Sequence, residues 1–333
     1  MKIFVTGIAG FLGAHIAREG VAQGWTVTGI DSLLGGCPEN VPGGAEWAAT
    51  DCRDPDAYEH LIRDADVVYH CAAAPYEGLS VFSPQVVWEN TAMSTVGVLR
   101  AAVNAGVRRF IFCSSMSRYG HQVPPFTEDM PAVPADPYAI AKVASEQLVR
   151  NLCGLHGMEH VICVPHNIYG PGQRYWDPFR NVAGIMINRA LQGKPPVIYG
   201  DGSQVRSFSY IDDVTGPLLK LATADVAGET FNVGPDGDDE EITILGLARQ
   251  ILYLTGGPEP VFYPARPGEV HYATCSSGKA RRMLDYRPRW DLGKGLVAYV
   301  DWVESLGPRE FEYHLPIEIK RENTPRTWTE KLI

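Results

Sequence analysis

The chain has 333 residues, of which 29 are Lys or Arg and 39 are Asp or Glu, so its formal net charge is −10. The length predicts about two domains with a sizeable buried core. The acidic balance argues against a nucleic-acid partner, because a phosphate backbone attracts a basic surface. No apolar run approaches the roughly 20 residues that a membrane helix requires, so we expect no membrane partner.

Seven cysteines are dispersed along the chain, and none forms a CxxC pair. Their odd number and spacing favour neither a disulfide framework nor a zinc site, so we expect no metal and a reducing, cytoplasmic location. The N-terminal run MKIFVTGIAGFLGAHIA shares a lysine and an apolar stretch with signal peptides. Its glycines instead favour a strand, a turn and a helix.

Short β-branched or aromatic runs alternate with helical patterns over the first half of the chain. In chain order the predicted strands are KIFVTG, WTVTGID, a run near 46–50, DVVYHCAA, RRFIFCSS and HVICVPHN, and the first helix is predicted from about Phe11. This alternation predicts βαβ units. We therefore expect an α/β protein with a Rossmann-type doubly wound parallel sheet that is covered by helices on both faces.

After about Asn167 the chain consists of loops rich in Gly, Pro and aromatic residues between shorter helices, one of them predicted over 185–192. We expect a first domain over 1–166, to which some later segments return, a smaller C-terminal α/β substrate domain over 167–306, and a tail over 307–333. The tail mixes charges and prolines without a helical or strand period. This composition predicts a segment that wraps the surface or is partly ordered, with an active-site lid or a dimer arm as the alternatives.

Three glycines, Gly7, Gly10 and Gly13, lie between the first predicted strand and the helix that follows it. Glycines at this place permit a tight turn, and they let a pyrophosphate approach the free N–H groups at the helix N-terminus. The spacing is GxxGxxG rather than GxGxxG, which departs from the general dinucleotide fingerprint. A purely structural turn is the alternative.

Asp31 ends the second predicted strand, 31 − 13 = 18 residues after the last of these glycines. A carboxylate at this position accepts hydrogen bonds from an adenosine ribose and repels a 2′-phosphate, which favours NAD over NADP. Asp51 follows the third strand, where it would contact adenine or serve as a turn residue. The other residues expected around the cofactor are Phe11, Leu12, Cys52, Ala72 and Ala73.

Tyr138 and Lys142 form a YxxxK pair in a segment with helical spacing, so both side chains leave one face of the helix a turn apart. A phenol is a poor base at neutral pH, but a nearby ammonium and a positive nicotinamide would favour the phenolate. Such a pair can take a proton from an alcohol while a hydride leaves its carbon. Ser115, at the end of a predicted strand, could hydrogen-bond the reacting hydroxyl, whereas Ser114 and Ser117 would satisfy local backbone.

Several longer segments follow one another over roughly residues 1–304: TGIAGFLG, YHCAAAP, FIFCSSMSRYG, PYAIAK, HNIYGPGQ, GDGSQVRSFSYIDD, FNVG and RPGEVHYATCSSGKA. With these segments the chain resembles the extended short-chain dehydrogenase/reductase family, in particular its NAD-dependent nucleotide-sugar epimerases and dehydratases of the UDP-glucose 4-epimerase type. The resemblance implies a Rossmann domain that holds NAD permanently and a small domain that binds a nucleoside diphosphate sugar. It also implies that Ser115, Tyr138 and Lys142 are the catalytic residues.

The resemblance further implies a substrate site. Arg206 and Arg266 match the family's positions that contact the diphosphate or the nucleotide ribose, and guanidinium groups suit a diphosphate because they form charge-assisted hydrogen bonds. Asn167 matches the family's substrate-binding asparagine, with an Asx turn as the alternative. Arg174 lies in the loop where substrate contacts are expected, and there it would pair with the C6 carboxylate of a uronic acid or face solvent.

Two positions after Ser115 bear on the reaction. Dehydratases of this family carry an Asp-Glu pair there, since elimination needs an acid and a base, and decarboxylating relatives tend to place a Glu nearby. This chain has Met116 and Ser117, and GDP-mannose 3,5-epimerases have Cys in place of Ser117 and a lysine in a later loop. The sequence therefore favours C4 epimerisation of a UDP-hexose or UDP-hexuronate through a transient 4-keto sugar. The alternatives are a 3,5-epimerase or dehydratase, an NADP-linked reductase and a non-catalytic NAD-binding protein.

Two further expectations concern assembly and substrate size. The resemblance implies a homodimer built on helix patterns around 90–104 and 138–153, with core packing as the alternative interpretation of their apolar residues. Ala273 falls where some 4-epimerases place a tyrosine that narrows the sugar pocket, so we expect substituted sugars to be tolerated. The adjacent Tyr272 is the alternative occupant of that position. The apolar residues in question on the two helices are Val96, Leu99, Val103, Val143, Leu148 and Leu152.

Overall fold

The computed structural model describes residues 1–236 and 241–333. Within these ranges the strands are β1 Lys2–Thr6, β2 Thr26–Asp31, β3 Glu46–Ala49, β4 Val67–His70, β5 Arg109–Cys113, β6 Glu159–Pro165, β7 Ile168–Tyr169, β8 Val197–Tyr199, β9 Val205–Ser207, β10 Ser209–Tyr210, β11 Thr230–Val233, β12 Glu241–Thr243, β13 Val261–Tyr263 and β14 Tyr272–Ala273.

The helices of the same ranges are α1 Phe11–Ala22, α2 Pro55–Ile62, α3 Glu77–Ser80, α4 Pro84–Trp88, α5 Ser94–Asn104, α6 Pro137–His156, α7 Val182–Leu191, α8 Ile211–Lys220, α9 Ile244–Thr255, α10 Gly278–Leu284, α11 Leu292–Leu306 and α12 Arg326–Thr329. Short 3-10 turns cover Pro38–Asn40 and Met116–Tyr119, and a π turn over Glu89–Met93 joins α4 to α5.

Seven strands form one sheet in the order β11-β6-β5-β4-β1-β2-β3, and every pairing in it is parallel. Successive residues of β1 point to opposite faces. Phe4 packs into a core that includes Tyr58 of α2 and Val149 of α6, while Val5 packs into a core that includes Ile16 of α1. The predicted doubly wound α/β fold is thereby confirmed.

Strand β11 comes from late in the chain and extends the main sheet beside β6. The remaining strands form three small sheets, in which β10 pairs with β7, β9 lies between β12 and β14, and β13 pairs with β8. A third core lies between α7, α9 and α11 and includes Met186, Leu247 and Leu296. This smaller assembly provides the loops that face the main sheet.

The carboxyl ends of the parallel strands meet at one edge of the sheet, where ligands of such folds bind. Gly7 follows β1, Asp31 ends β2, and Ser115 and Asn167 lie just after β5 and β6. The segment 307–333 crosses near this edge and ends with α12.

Two further features concern residues 1–236 and 241–333. None of their helices combines the length and apolar character needed to cross a bilayer. The same residues contain no group of three or more His, Cys, Asp or Glu side chains placed to bind a metal ion.

Candidate active site

A cavity of about 450 Å³ opens at the carboxyl edge of the sheet. Its walls come from the first residues of α1 and α6, the loops after β1, β2, β4 and β5, and the strands β8 and β9. Every site residue predicted from the sequence lines this cavity except Arg174. Those lining residues are Gly7, Gly10, Phe11, Leu12, Gly13, Asp31, Asp51, Cys52, Ala72, Ala73, Ser115, Tyr138, Lys142, Asn167, Arg206 and Arg266.

The glycine loop is shaped for close backbone approach. Gly7 has a φ of +71°, and a Cβ there would lie 3.0 Å from the backbone N of Ala72. A Cβ on Gly13 would lie 2.1 Å from the carbonyl oxygen of Gly7. Helix α1 starts directly after Gly10, which provides no side-chain cap, so its first N–H groups have no side-chain acceptor. This cradle fits the pyrophosphate of a dinucleotide.

Asp31 lies at the end of β2 and is only 7% exposed. Its carboxylate accepts hydrogen bonds from the backbone N–H groups of Ala9, at 3.0 Å, and Leu33, at 2.7 Å. Burial raises the pKa of Asp31, and these N–H groups act in the opposite direction. Asp51 is also engaged, because Arg53 binds both of its carboxylate oxygens and thereby lowers its pKa. The sequence did not predict that partner.

Helix α6 carries the YxxxK pair, and Asp136 caps it by accepting a hydrogen bond from the N–H of Ala139 at 2.9 Å. The Nζ of Lys142 donates to the carbonyl oxygen of Cys113 at 2.7 Å. It lies 6.0 Å from the centre of the Tyr138 ring. Burial lowers the pKa of Lys142 to about 8. The lysine is therefore fixed to the end of β5, beside the tyrosine.

Burial raises the pKa of Tyr138, and its hydrogen bond with Ser115 acts in the opposite direction. Without a bound cofactor, the protein therefore favours the neutral phenol of Tyr138 rather than the phenolate that we predicted. The reason is that desolvation penalises the charged phenolate and that the Lys142 ammonium donates to a backbone carbonyl. The second charge that we invoked for the phenolate is the positive charge of the nicotinamide, which would come with bound NAD.

The Ser115 loop is attached to α6 by a buried carboxylate. Ser114 donates its hydroxyl to Oε1 of Glu146 at 2.5 Å, and Nη2 of Arg118 lies 3.1 Å from Oε2 of the same carboxylate. The hydroxyl of Ser115 accepts from the N–H of Ser117 at 3.2 Å and from its hydroxyl at 2.9 Å. Glu146, which we did not predict, lies one helical turn after Lys142. That i, i+4 spacing is the signal that could have identified it.

Arg206 of β9 and Asn167, which precedes β7, both donate hydrogen bonds to backbone carbonyl groups. The guanidinium of Arg206 donates to the carbonyl oxygens of Val270 and His271. Burial lowers the pKa of Arg206. Asn167 adopts a φ of +36° and donates its side-chain amide to the carbonyl oxygen of Ser207 at 2.8 Å. Both side chains are thus held by backbone carbonyls where they line the cavity.

Arg266 pairs with Glu269 at 2.7 Å and lies 4.8 Å over the centre of the Tyr199 ring. Its buried Nε has no hydrogen-bond acceptor in the described part of the chain. A buried donor without an acceptor is costly, so this atom is available to an anionic ligand. Tyr199, which also lines the cavity, was not predicted from the sequence.

Four charged residues that we did not predict also line the cavity, namely Glu77, Asp136, Arg180 and Glu269. Glu77 is exposed to the cavity, and within residues 1–236 and 241–333 its carboxylate forms no direct hydrogen bond or ion pair. Desolvation and the charge of Asp136 raise its pKa, and the charges of Arg206 and Arg266 act in the opposite direction. The guanidinium of Arg180 lies 5.3 Å over the ring of Tyr76. Glu77 is the second residue after the YHCAAAP segment. Its position in the loop after β4 is the sequence signal that could have identified it.

Three side chains lie away from the sites for which we considered them from the sequence. Arg174 binds Glu312 at 2.6 Å and lies outside the cavity wall, because the tail brings a carboxylate to it. Ala273 is buried in the core against the main sheet, in the cluster that contains Phe126 and Cys275, rather than on the sugar pocket. Leu99, offered as an interface residue, is fully buried in the same core.

The model of the NAD dependent epimerase/dehydratase family matches residues 3–234. The chain belongs to that family. The family predicted from the sequence motifs is thereby confirmed.

Similar proteins extend this match over most of the chain. The UDP-glucose 4-epimerase of Mycolicibacterium smegmatis is 32% identical over 92% of this chain and 99% of its own. The UDP-glucose 4-epimerase of Thermotoga maritima, solved with UDP-glucose, has a TM-score of 0.86 at 29% identity and covers 92% of this chain and 99% of its own. The UDP-glucuronic acid 4-epimerase of Bacillus cereus, solved with UDP-glucuronic acid and NAD, has a TM-score of 0.85 at 30% identity and covers 92% of this chain and all of its own.

Proposed function

We propose that the protein catalyses NAD-dependent epimerisation at C4 of a UDP-hexose. The observation that supports this most strongly is that one cavity holds the glycine cradle, the Ser115, Tyr138 and Lys142 side chains, and the two arginines. The first domain, 1–166 with its returning segments, would bind NAD, and 167–306 would bind the nucleotide sugar. Arg206 and Arg266 are assigned to the diphosphate.

Bound NAD supplies the acceptor and then the donor of the C4 hydride. The Lys142 ammonium, 6.0 Å from the centre of the Tyr138 ring, together with the positive nicotinamide of bound NAD, would stabilise Tyr138 as the phenolate. In the first half-reaction this phenolate accepts the proton of the C4 hydroxyl and becomes the neutral phenol, while Ser115 hydrogen-bonds the same oxygen. After the 4-keto sugar has turned to present its other face, Tyr138 returns the proton to the C4 oxygen.

The residues after Ser115 support epimerisation rather than elimination. Ser117 donates its hydroxyl to Ser115, and the Met116 side chain cannot transfer a proton. Neither position holds the acid or the base that removal of water from the sugar requires. The 4-keto sugar is then an intermediate that returns to an alcohol.

Glu77 supports a neutral sugar. Its unpaired carboxylate can accept hydrogen bonds from sugar hydroxyls, and it would repel a second carboxylate in the cavity. A hexuronate is the second candidate substrate, and the observation that favours it is Arg180 on the cavity wall. Turnover of UDP-glucose and of UDP-glucuronic acid, measured in the wild type and in Glu77→Gln and Arg180→Gln, distinguishes these two candidate substrates.

The decisive experiment is NMR of the protein with UDP-glucose, UDP-glucuronic acid, UDP-N-acetylglucosamine and a GDP-, ADP- and dTDP-sugar in heavy water. We expect UDP-glucose and UDP-galactose to interconvert without deuterium at C4, because the hydride returns directly. Deuterium at C3 or C5 would indicate 3,5-epimerisation, and an accumulating keto sugar would indicate dehydration. No turnover of any sugar would favour a non-catalytic protein.

We also propose that the protein is a cytoplasmic homodimer. Four large apolar side chains on α4 to α6 are exposed: Trp88 at 41%, Met93 at 47%, Val96 at 38% and Ile140 at 47%. Such a cluster on neighbouring helices is typical of a subunit interface. The reducing location is supported by the seven cysteines, all of them free thiols.

A further inference from the structure

The C-terminal segment, residues 307–333, is held first by the smaller assembly. Asn188 of α7 exchanges two hydrogen bonds with the backbone of Arg309, at 2.8 and 2.9 Å. Glu312 then pairs with Arg174 and donates its N–H to the carbonyl oxygen of Trp176 at 3.1 Å. The segment therefore starts on the smaller assembly, at α7 and the loop of Arg174 and Trp176.

The segment next crosses to the main-sheet side of the cavity. Glu318 accepts hydrogen bonds from the N–H groups of Gln85, at 2.9 Å, and Val86, at 3.0 Å, which are the free donors at the start of α4. Ser83 donates its hydroxyl to the carbonyl oxygen of Pro316 at 2.6 Å. These bonds anchor the middle of the segment to the first half of the chain.

The last residues return to the cavity. Thr327 and Tyr199 share a hydrogen bond of 2.6 Å between their hydroxyls, and Arg189 donates to the carbonyl oxygen of Leu332 at 3.1 Å. Trp328, 3% exposed, and Ile333, 8% exposed, then form part of the cavity wall. The C-terminal segment thus spans both sides of the cleft and closes part of it with apolar side chains.

The position of Trp328 on that wall is defined by its neighbours. Its ring lies 6.4 Å from that of Tyr199, 5.8 Å from that of Phe179 and 6.1 Å from that of Phe82, measured between centroids. A Cβ built on Gly78 would lie 2.8 Å from Nη1 of Arg266 and 3.6 Å from Cη2 of Trp328. Trp328 is therefore next to the arginine that we assign to the diphosphate.

We propose that Trp328, supported by Ile333, is a specificity-determining residue that packs against the nucleoside diphosphate part of the substrate. The inference rests on the proposed function, because that function places the diphosphate at Arg266. Burial of an indole face against a ligand contributes to affinity without touching the reacting carbon.

Calorimetric titration of the NAD-loaded protein with UDP, dTDP, GDP and ADP tests the proposal without requiring turnover. For the diphosphate that the wild type binds, we expect Trp328→Ala to raise Kd by about tenfold or more, and Trp328→Phe to raise it less because an aromatic face remains. Tyr253→Ala, at a side chain 89% exposed on α9, is the control and should leave Kd unchanged. With UDP-glucose, Trp328→Ala should raise KM far more than it lowers kcat.

The outcomes are distinguishable. If the wild type binds a diphosphate and Trp328→Ala binds it equally well, the proposal is overturned and the proposed function stands. If kcat falls while Kd is unchanged, Trp328 acts on chemistry, which also overturns it. If the wild type binds none of the four diphosphates, the proposed function and this inference both fail. Should Trp328→Ala not fold, Trp328→Phe and Ile333→Ala provide the same Kd comparison, and an unchanged Kd in both overturns the proposal.

Discussion

Glu146 and Arg118 form a buried ion pair in which Oε2 and Nη2 are 3.1 Å apart, with side chains only 4% and 8% exposed. Removal of the carboxylate leaves the guanidinium buried and unpaired, which typically costs about 3 to 5 kcal/mol. We therefore expect Glu146→Ala to lower Tm clearly. The matched control is Glu59→Ala, which removes an exposed pair with Arg63 and should leave Tm nearly unchanged. Equal melting temperatures for the two variants would show that the buried pair does not hold the Ser115 loop.

In this interpretation Glu146 positions the Ser115 loop. A conservative variant should therefore separate its effect on the position of that loop from its effect on the stability of the protein. Glu146→Gln keeps an oxygen that can accept from Ser114 while it removes the charge. We expect kcat of Glu146→Gln to exceed that of Glu146→Ala at a temperature where both are folded. KM should change little in either variant, because the residue does not line the cavity.

Substitution of the proton-transferring residue gives a second prediction. Tyr138→Phe should lower kcat by at least about 100-fold, the usual scale for a positioned acid-base group. Ser115→Ala should cost less, because it removes one hydrogen bond and leaves the phenol in place. Far-UV circular dichroism and bound NAD content should match the wild type in both variants. Near-normal turnover in Tyr138→Phe would exclude the proposed mechanism.

The third prediction concerns pH. Burial lowers the pKa of Lys142 to about 8 from its ordinary 10.5. Between these values the unfolded chain holds a proton that the folded protein has released, so this lysine makes the free energy of unfolding rise with pH there. The difference in that free energy between wild type and Lys142→Met, measured without nucleotide, should therefore increase by on the order of 3 kcal/mol from about pH 8 to 10.5. A difference that stays flat across this interval would contradict the lowered pKa.

Cofactor preference gives the fourth prediction. The buried carboxylate of Asp31 would repel the 2′-phosphate of NADP, so the wild type should bind NAD much more tightly. Asp31→Asn keeps an oxygen for the N–H of Ala9 or Leu33 but removes the charge, and we expect the preference to shrink by about tenfold or more. Fluorescence titration with both dinucleotides measures the ratio. Tighter binding of NADP by the wild type would refute the role of Asp31.

The fifth prediction tests assembly. Ile140 is 47% exposed on α6, next to Trp88 and Met93. Ile140→Asp would bury a charge in a dimer interface, so we expect it to yield monomers at micromolar concentration in light scattering, whereas the wild type gives dimers. Val123→Asp, at an 81% exposed side chain outside these helices, should leave the wild-type mass. A monomeric wild type would exclude the homodimer.

Much of the site could be predicted because its residues lie at fixed places in the chain relative to the strands. Gly7, Asp31 and Ser115 follow parallel strands, and the carboxyl ends of such strands meet at one edge whatever the loops between them do. Tyr138 and Lys142 are one helical turn apart, so local geometry alone places them together. Predicting where these residues lie required only the order of the strands and helices along the chain.

Other residues could not be placed in this way, because their positions depend on contacts between distant segments. Arg174 turns to Glu312, 138 residues later, and no local pattern shows that pairing. Ala273 is set by the register of β14 against β9, and a count along the chain does not determine which face of a two-residue strand meets the cavity. Trp328 lies in a segment without periodicity, so its burial follows from tertiary contacts alone.

Strand β11 has a consequence for the order in which the protein can be made. Asn232 in this strand accepts the hydroxyl of Tyr119 at 2.8 Å and donates to the carbonyl oxygen of Phe126 at 3.1 Å. During synthesis β6 leaves the ribosome more than sixty residues before β11, so one side of the main sheet stays an open edge meanwhile. Open edges are prone to pair with other chains. The nascent first half therefore exposes the edge of β6 until β11 has been translated, and only then can Asn232 contact the loop after Ser115.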